Sequence, residues 1–225
     1  MSKQRYTVGD PLLIEAEHDA LKLAGQLIQR PAGTVFMNEG EQTDFVMLIE
    51  KGVVKIKVGQ PARTVALRRA GEIVGEMAPI RGTPRSATVE AATDVVVLWI
   101  SAAQWLDFLD AHPRAAIALI AATDERLDQA TQKIKDSEFS VERRLAGALL
   151  DLVEAGIGRR LDDDGVEIAI SQQELASLAG ARIDSIKKVL RIFKDHGLIR
   201  TGRQRLTLID LDRLSAIATG SMTAP

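Results

Sequence analysis

Cysteine is absent from this chain of 225 residues, which excludes disulfides, thiolate iron–sulfur ligation and redox-sensing thiols. Histidine is scarce: His18, His112 and His196 are scattered, and each reads as structural rather than as a metal ligand or catalytic base. His112 stands at a helix start, and His196, in Asp195-His196-Gly197, can cap a helix. No Gly-x-Ser-x-Gly nucleophile motif occurs, so the chain does not read as an enzyme. Long apolar runs are missing too, since 115–122 and 95–100 are too short to span a bilayer. The start, Met1-Ser2-Lys3-Gln4-Arg5, leads into a polar stretch rather than a signal core, so the expectation is a soluble, cytoplasmic protein with no membrane partner. Nor does one sign of charge dominate. Lys and Arg total 29 against 31 Asp and Glu, a net charge of -2, so any nucleic-acid surface has to be local.

What is present is a chain with 46% hydrophobic residues, long enough for one large or two small domains, and two is the better reading. From Pro31 to about Leu109 short β-like runs (34–37, 45–49, 53–58, 63–67, 87–90 and 95–100) are punctuated by Gly33, Gly40, Gly52, Gly59, Gly71, Gly75 and Gly82. That spacing predicts an antiparallel barrel or sandwich. Residues 11–30, with Leu12, Leu13, Leu21, Leu23, Leu27 and Ile28, read as a helical lead-in.

A long helix is announced by Ala111-His112-Pro113, proline being favoured in a first turn. Along it Ile117, Ile120, Asp124, Leu127, Thr131 and Ile134 alternate in steps of three and four, a heptad seam that fits either a parallel partner helix or packing on its own domain. A second face carries Leu119, Thr123, Arg126 and Ala130. The polar stretch Lys135-Asp136-Ser137-Glu138 reads as a hinge. It is followed by a helix with Leu145, Leu149, Leu150, Leu152 and Val153 that ends near Gly156, a turn at Asp162-Asp163-Asp164-Gly165, and a short strand at 166–170.

Ser171 with Glu174 three residues later forms a capping box before Leu175 and Leu178. Ala179-Gly180-Ala181 interrupts that helix, and Ile183, Ile186, Val189, Leu190 and Phe193 begin another, giving a helix-turn-helix pattern. From Arg182 to Arg205 the basic residues Arg182, Lys187, Lys188, Arg191, Lys194, Arg200, Arg203 and Arg205 face only Asp184 and Asp195, a local excess suited to phosphates.

The run Gly75-Glu76-Met77-Ala78-Pro79-Ile80-Arg81-Gly82-Thr83-Pro84-Arg85-Ser86-Ala87 places a glycine and an acid ahead of an Arg-Ser pair on what reads as a short polar loop. Glycine lets backbone N–H groups approach a phosphate, arginine supplies a charged donor fork, and serine adds a hydroxyl. A carboxylate would be repelled by phosphate, so Glu76 suits a sugar hydroxyl. The plain alternative is a hairpin loop with a surface Glu76–Arg85 salt bridge.

This run resembles the phosphate-binding cassette of cyclic-nucleotide-binding domains in the CRP/FNR family of bacterial regulators. The glycine turns before it, and Ile170–Gly180, Asp184–Leu190 and Gly197-Leu198-Ile199 after it, are similar to that family as well. The resemblance implies an α+β protein: an N-terminal double-stranded β-roll over residues 1–110, a dimerisation helix and hinge over 111–139, and a C-terminal winged helix-turn-helix domain over 140–225. It implies nucleotide binding by Gly75, Glu76, Met77, Arg85, Ser86, Ala87, Arg126 and Thr131, and a homodimer seam along the helix face named above. Implied partners are double-stranded DNA with a pseudo-palindromic operator and, further, RNA polymerase. No covalent cofactor is expected, and the effector is a cyclic nucleotide, cyclic AMP ahead of cyclic GMP or another cyclic nucleotide; the alternative is a regulator that binds DNA without a cyclic nucleotide or with another effector. A nucleotide-binding module without a transcriptional role would explain the cassette but not the helix-turn-helix.

The chain departs from the family pattern in three places. It lacks the cysteines of oxygen-sensing members. Ala130 stands where cyclic-AMP-binding members carry a hydroxyl near the base. In the second helix of the motif the family's Ser-Arg-Glu is replaced by Arg182-Ile183-Asp184, with Lys187-Lys188 after it. The arginine is displaced by one place, about 100° around a helix, so the family's usual half-site is not carried over. Arg182, Asp184, Ser185 and Lys188 are the candidates for base contact; Lys187, Arg203 and Arg205 suit phosphates, with Ser171 and Gln172 at the preceding helix start.

Overall fold

The structure is a computed structural model that describes residues 11–136, 138–162 and 165–224. Met1 to Arg5, Ser137 of the hinge and Asp163-Asp164 of the expected turn lie outside the described residues. The chain divides into two compact units, Met1–Ala62 with Leu67–Gln132 and Arg63–Ala66 with Lys133–Pro225.

The elements of the first unit are, in order, α1 (Glu15–Ala24), β1 (Gln26–Arg30), β2 (Val35–Met37), β3 (Phe45–Lys51), β4 (Val53–Val58), β5 (Arg63–Arg69, of which Arg63–Ala66 group with the second unit), β6 (Ile73–Val74), α2 (Met77–Arg81), β7 (Thr88–Ala91), β8 (Val95–Ser101), α3 (Ala102–Ala111) and α4 (Pro113–Asp136, whose last turn from Lys133 groups with the second unit). The strands form two sheets of four, β1-β8-β3-β6 and β2-β7-β4-β5. Alternation along β3 explains their packing. Met47 and Ile49 join Met37, Val54, Val74, Val89 and Val97 in the core between the sheets, while Val46 and Leu48 face Leu21, Trp105, Phe108 and Leu119 from the helices. Strands β3 and β8 are thus buried on both faces, which is why each reads as a continuous apolar run.

The lead-in at 11–30 is not one helix. It breaks at Gly25, where a Cβ would lie 2.8 Å from Leu98 Cδ1 and from the Trp99 carbonyl oxygen; beyond it β1 pairs antiparallel with β8 from Gln26↔Trp99 to Arg30↔Val95. The β-like reading to Leu109 also stops short, because the Ser101 hydroxyl accepts from the Gln104 N–H and starts α3. His112 closes α3, its Nδ1 2.9 Å from the Phe108 carbonyl oxygen, and Pro113 opens α4.

The second unit contains α5 (Val141–Glu154), β9 (Arg159–Arg160), β10 (Val166–Ala169), α6 (Gln172–Leu178), α7 (Ile183–Asp195), β11 (Ile199–Gly202), β12 (Arg205–Leu208) and α8 (Leu211–Thr219), with sheet order β11-β12-β10-β9. Leu145, Leu149, Ile168, Ile186, Phe193, Leu198, Leu208 and Leu214 are fully buried in it. Arg144 Nε donates to the Ala179 carbonyl at 3.0 Å, satisfying the end of α6, and Arg143 Nε donates to Ala218 at 2.9 Å, holding α8 against α5. Among the described residues no helix is long and apolar enough to cross a membrane.

Glu17 ties α1 to the start of α4. Arg114 Nε donates to both of its carboxylate oxygens at 2.9 and 3.0 Å, Arg114 Nη2 also pairs with it, and the Ile14 N–H donates to it at 3.1 Å. Burial raises the Glu17 pKa, but the Arg114 and Ile14 hydrogen bonds, the Arg114 charge and that of His112 outweigh it and leave the pKa below 4.5. A lowered acid stabilises the fold above its unfolded pKa, and that stabilisation is lost as pH falls through the folded value. Glu17→Gln is therefore expected to cost about 3 kcal/mol at pH 7 by stranding Arg114, and progressively less in acid. Urea unfolding followed by Trp99 and Trp105 fluorescence, both in this unit, checks it; a cost independent of pH refutes the assignment.

Candidate functional sites

Arg85 is the most constrained cation of the first unit, only 3% exposed. Its backbone is held on both sides, its N–H donating to the Glu41 carbonyl and its carbonyl accepting from the Gly40 N–H, each at 2.8 Å. Each guanidinium nitrogen donates once: Nε to Thr43 Oγ1 at 2.6 Å, Nη1 to the Gly75 carbonyl and Nη2 to the Phe45 carbonyl, both at 2.5 Å. The guanidinium carbon stands 4.8 Å from the centroid of the Phe45 ring. All these partners are neutral, and none of the ion pairs among the described residues includes Arg85. Burial lowers its pKa, with Glu76, Asp44 and Glu41 pulling the other way, yet a guanidinium stays charged. An almost buried positive charge with a hydrogen left on each terminal nitrogen is a ready acceptor of an anion.

Gly75 makes this seat possible. Its φ is +82°, and a Cβ there would lie 2.9 Å from Arg85 Nη1 and 3.0 Å from Met37 Cε. The chain then enters α2, so the expected polar loop holds a five-residue helix, closed by Gly82 in the left-handed region. Glu76, 3% exposed, pairs not with Arg85 but with Arg126 of α4, whose Nη1 donates to Oε1 at 2.6 Å and whose Nη2 donates to the Ile73 carbonyl at 2.7 Å. Oε2 of Glu76 has no hydrogen bond among the described residues. Ser86 is exposed and Met77 and Ala87 are half-buried.

Gly75, Glu76, Arg85 and Arg126 are thus brought together, whereas Thr131 is exposed and makes no hydrogen bond to them. Thr43, Phe45 and Arg68 are new. Thr43 and Phe45 are invisible in sequence because they act from 40 or more residues away. Arg68 lies 3.5 Å from Glu72 across the β5–β6 turn; burial lowers its pKa, as does the neighbouring Arg126 charge, against Glu72 and Glu76.

On α4 the face opposite Leu119 is bare: Ile117, Ile120, Leu127 and Ile134 are 55–72% exposed, and Asp124 and Thr131 lie exposed with them. Leu119 and Arg126 face the sheet side as expected, but Ala130 is exposed.

In the second unit α6 starts at the Ser171 capping box, where Oγ accepts from the Glu174 N–H at 3.2 Å and lies 3.0 Å from Glu174 Oε2. That hydroxyl is committed inside the fold, while Gln172 is exposed. α7 buries Ile186, Val189, Leu190 and Phe193 and turns Arg182, Asp184, Lys187 and Lys188 to solvent, with Ser185 half-buried. Asp184 and Lys187 pair at 3.3 Å. Arg203 and Arg205 are exposed on the hairpin, where Gln204 takes a φ of 55°.

Two family models match the chain: the cyclic nucleotide-binding domain over residues 27–112 and the Crp-like helix-turn-helix domain over residues 143–217. The chain is a CRP/FNR family transcription regulator. It is similar to the cyclic AMP receptor protein of Thermus thermophilus, 29% identical over 219 residues that cover 94% of this chain and 98% of that protein. A crystal structure of a CRP/FNR family regulator, also from Thermus thermophilus, superposes with a TM-score of 0.72 at 26% identity, covering 86% of this chain and 98% of the other. The c-di-GMP-responsive regulator CLP of Xanthomonas campestris shares the fold with a TM-score of 0.74 at 21% identity, over 87% and 99% of the two chains. A CRP/FNR regulator is a DNA-binding protein and not an enzyme, and its first domain is of the class that binds cyclic nucleotides.

Gly71 supplies a control for the cassette. It has a φ of +87°, but a Cβ there meets nothing within 4 Å. Gly71→Ala is expected to cost about 1 kcal/mol from backbone strain, and Gly75→Ala at least about 1 kcal/mol more from the added clash with Arg85 and Met37. Urea unfolding of both variants checks this; equal costs refute the close seat of Arg85 against Gly75.

Proposed function

We propose that this regulator is a homodimer gated by a cyclic nucleotide, with cyclic AMP the favoured effector, and that it reads a pseudo-palindromic operator. The observation that carries the reading is Arg85, a nearly buried guanidinium beside Gly75 whose protein partners are all neutral. The cyclic phosphate takes the free hydrogens of Nη1 and Nη2 and the Ser86 hydroxyl, and backbone N–H groups at Ser86 and Ala87 complete the seat. Glu76, already fixed by Arg126, accepts the ribose hydroxyl on Oε2, and Met77 lies beside it. The base meets Thr131, with no hydroxyl from Ala130 to assist.

The exposed aliphatic face of α4 supports the dimer. Ile117, Ile120, Leu127 and Ile134 pack against the same face of a second copy, with Asp124 and Thr131 in the seam. Two-fold symmetry then sets half-site centres about one helical turn, roughly 34 Å, apart. Arg182, Asp184, Ser185 and Lys188 reach base edges, and Lys187, Arg203 and Arg205 meet phosphates. Gln172 joins them at the start of α6; Ser171 serves as the cap that orients it. RNA polymerase is the further partner, in the cytoplasm.

Calorimetric titration with cyclic AMP and cyclic GMP tests the pocket. Arg85→Ala is expected to weaken cyclic AMP binding by about 2–5 kcal/mol; binding equal to the parent refutes the assignment, and tighter cyclic GMP binding in the parent overturns the choice of nucleotide. Gating is tested by linkage: if nucleotide tightens operator binding, operator tightens nucleotide binding by the same factor, typically about 1–3 kcal/mol. Equal nucleotide affinities with and without operator mean a regulator that is not nucleotide-gated. Leu127→Glu buries a charge in the proposed seam and is expected to give monomers by light scattering; an unchanged dimer places the interface elsewhere.

A further inference from the structure

Arg68, near the end of β5, is a cation that neither the packing of the first unit nor the phosphate seat accounts for. Its side chain is 13% exposed, yet the nearest carboxylate oxygen, on Glu72, stands 3.5 Å from Nε, too far for a good hydrogen bond. The β5–β6 turn does not depend on that contact. Glu72 closes it alone, Oε2 accepting from the Arg69 N–H at 2.8 Å and its own N–H donating to the Arg69 carbonyl at 3.1 Å. Of the other guanidinium nitrogens, Nη1 donates to the Leu67 carbonyl at 2.8 Å, and Nη2 makes no hydrogen bond among the described residues. Burial and the like charge of Arg126 both act against the charged form of Arg68, so its position is unfavourable in the free protein.

A short run of chain relates Arg68 to the cassette. From Glu72 to Glu76 that run is bracketed by three arginines: Arg68 beside Glu72, Arg126 on the Ile73 carbonyl and on Glu76, and Arg85 on the Gly75 carbonyl. The charges that act on Arg68 are Arg126, Glu72 and Glu76, whereas those that act on Arg85 are Glu76, Asp44 and Glu41. Arg68 and Arg85 thus stand on either side of Glu76. In a cyclic nucleotide the ribose separates phosphate from base. With the phosphate on Arg85 and the ribose on Glu76, the base points to the side of Arg68 and Arg126. Arg126 is already committed there to Glu76 and Ile73, and Arg68 keeps Nη2 free.

We infer that Arg68 is the base-reading residue of this pocket, its Nη2 donating to N7 of a purine. The inference rests on the nucleotide-binding reading and narrows the ligand class to purine cyclic nucleotides. N7 is an acceptor on both adenine and guanine, and pyrimidines have no such atom. Arg68 supplies the polar contact to the base that Ala130 cannot, and its charge makes that bond stronger than one from a hydroxyl.

Two ligands that differ at one position test this: cyclic AMP and its 7-deaza analogue, in which a C–H replaces N7. In calorimetric titration the parent is expected to bind the analogue at least about tenfold more weakly, the contribution of one hydrogen bond from a charged donor. Arg68→Met is expected to weaken cyclic AMP binding by the same factor and to bind the analogue as the parent does. Arg85→Ala, which removes the phosphate contact, weakens both ligands alike and so separates loss of the pocket from loss of base reading. Equal binding of the two ligands by the parent, an unaltered protein, overturns the inference. An Arg68→Met variant that weakens both ligands equally also overturns it and makes Arg68 part of the fold around Glu76. A parent that binds neither ligand overturns the nucleotide-binding reading itself, and this inference with it.

Discussion

Arg126 is the residue on which the arrangement of the first domain turns. One guanidinium nitrogen pairs with Glu76 at 2.6 Å and another with the Ile73 carbonyl at 2.7 Å, so one side chain of α4 holds both β6 and the start of the cassette. The Glu76 side chain is 4% exposed and that of Arg126 20%, and a charge so placed needs its partner. Separating them would leave a carboxylate in the sheet edge and break the carbonyl contact with it. One ion pair and one carbonyl contact therefore tie the start of the cassette and β6 to the long helix.

How much of this was legible in the sequence follows from how local each cause is. Turn glycines, the Ser171 capping box and Pro113 act within four residues, and each stands where the sequence places it. The bare Ile117–Ile134 face is equally legible, because heptad spacing is a property of one helix. Gly25 illustrates the opposite case: Leu27 and Ile28 continue an apolar pattern, and only the approach of Leu98 and Trp99 from β8 turns that segment into a strand. The seat of Arg85 lies between these extremes. Its arginine and glycine are ten residues apart and readable together, but Thr43 and Phe45 arrive from a distant strand, and the pairing of Glu76 with Arg126 rather than Arg85 depends on where α4 passes.

The second domain shows how a nearly neutral chain makes a basic surface. Its apolar side chains are used inward with little waste, Ile186, Val189, Leu190 and Phe193 on α7 and Leu206 and Leu208 on β12, so alternation alone sorts the arginines and lysines to the outside. Helix ends are closed from within, by Ser171 for α6 and by Arg144 for its far end, which spends none of the outward cations. Position on a rigid element, rather than net charge, is what gives these residues a direction.

Met37 lies beneath Gly75, its Cε 3.0 Å and its sulfur 3.4 Å from where a Cβ would stand. The cassette therefore rests on a thioether, the most pliable filler a core can offer. A branched side chain in its place would fix the height of the Gly75 carbonyl that Arg85 grips; the thioether lets that floor rise or settle by rotating bonds, without opening a void. Residue 37, which brings no hydrogen-bonding group to the site, is in this sense a tuning screw for the pocket, able to change how firmly the arginine is clamped while leaving every polar group of the site in place.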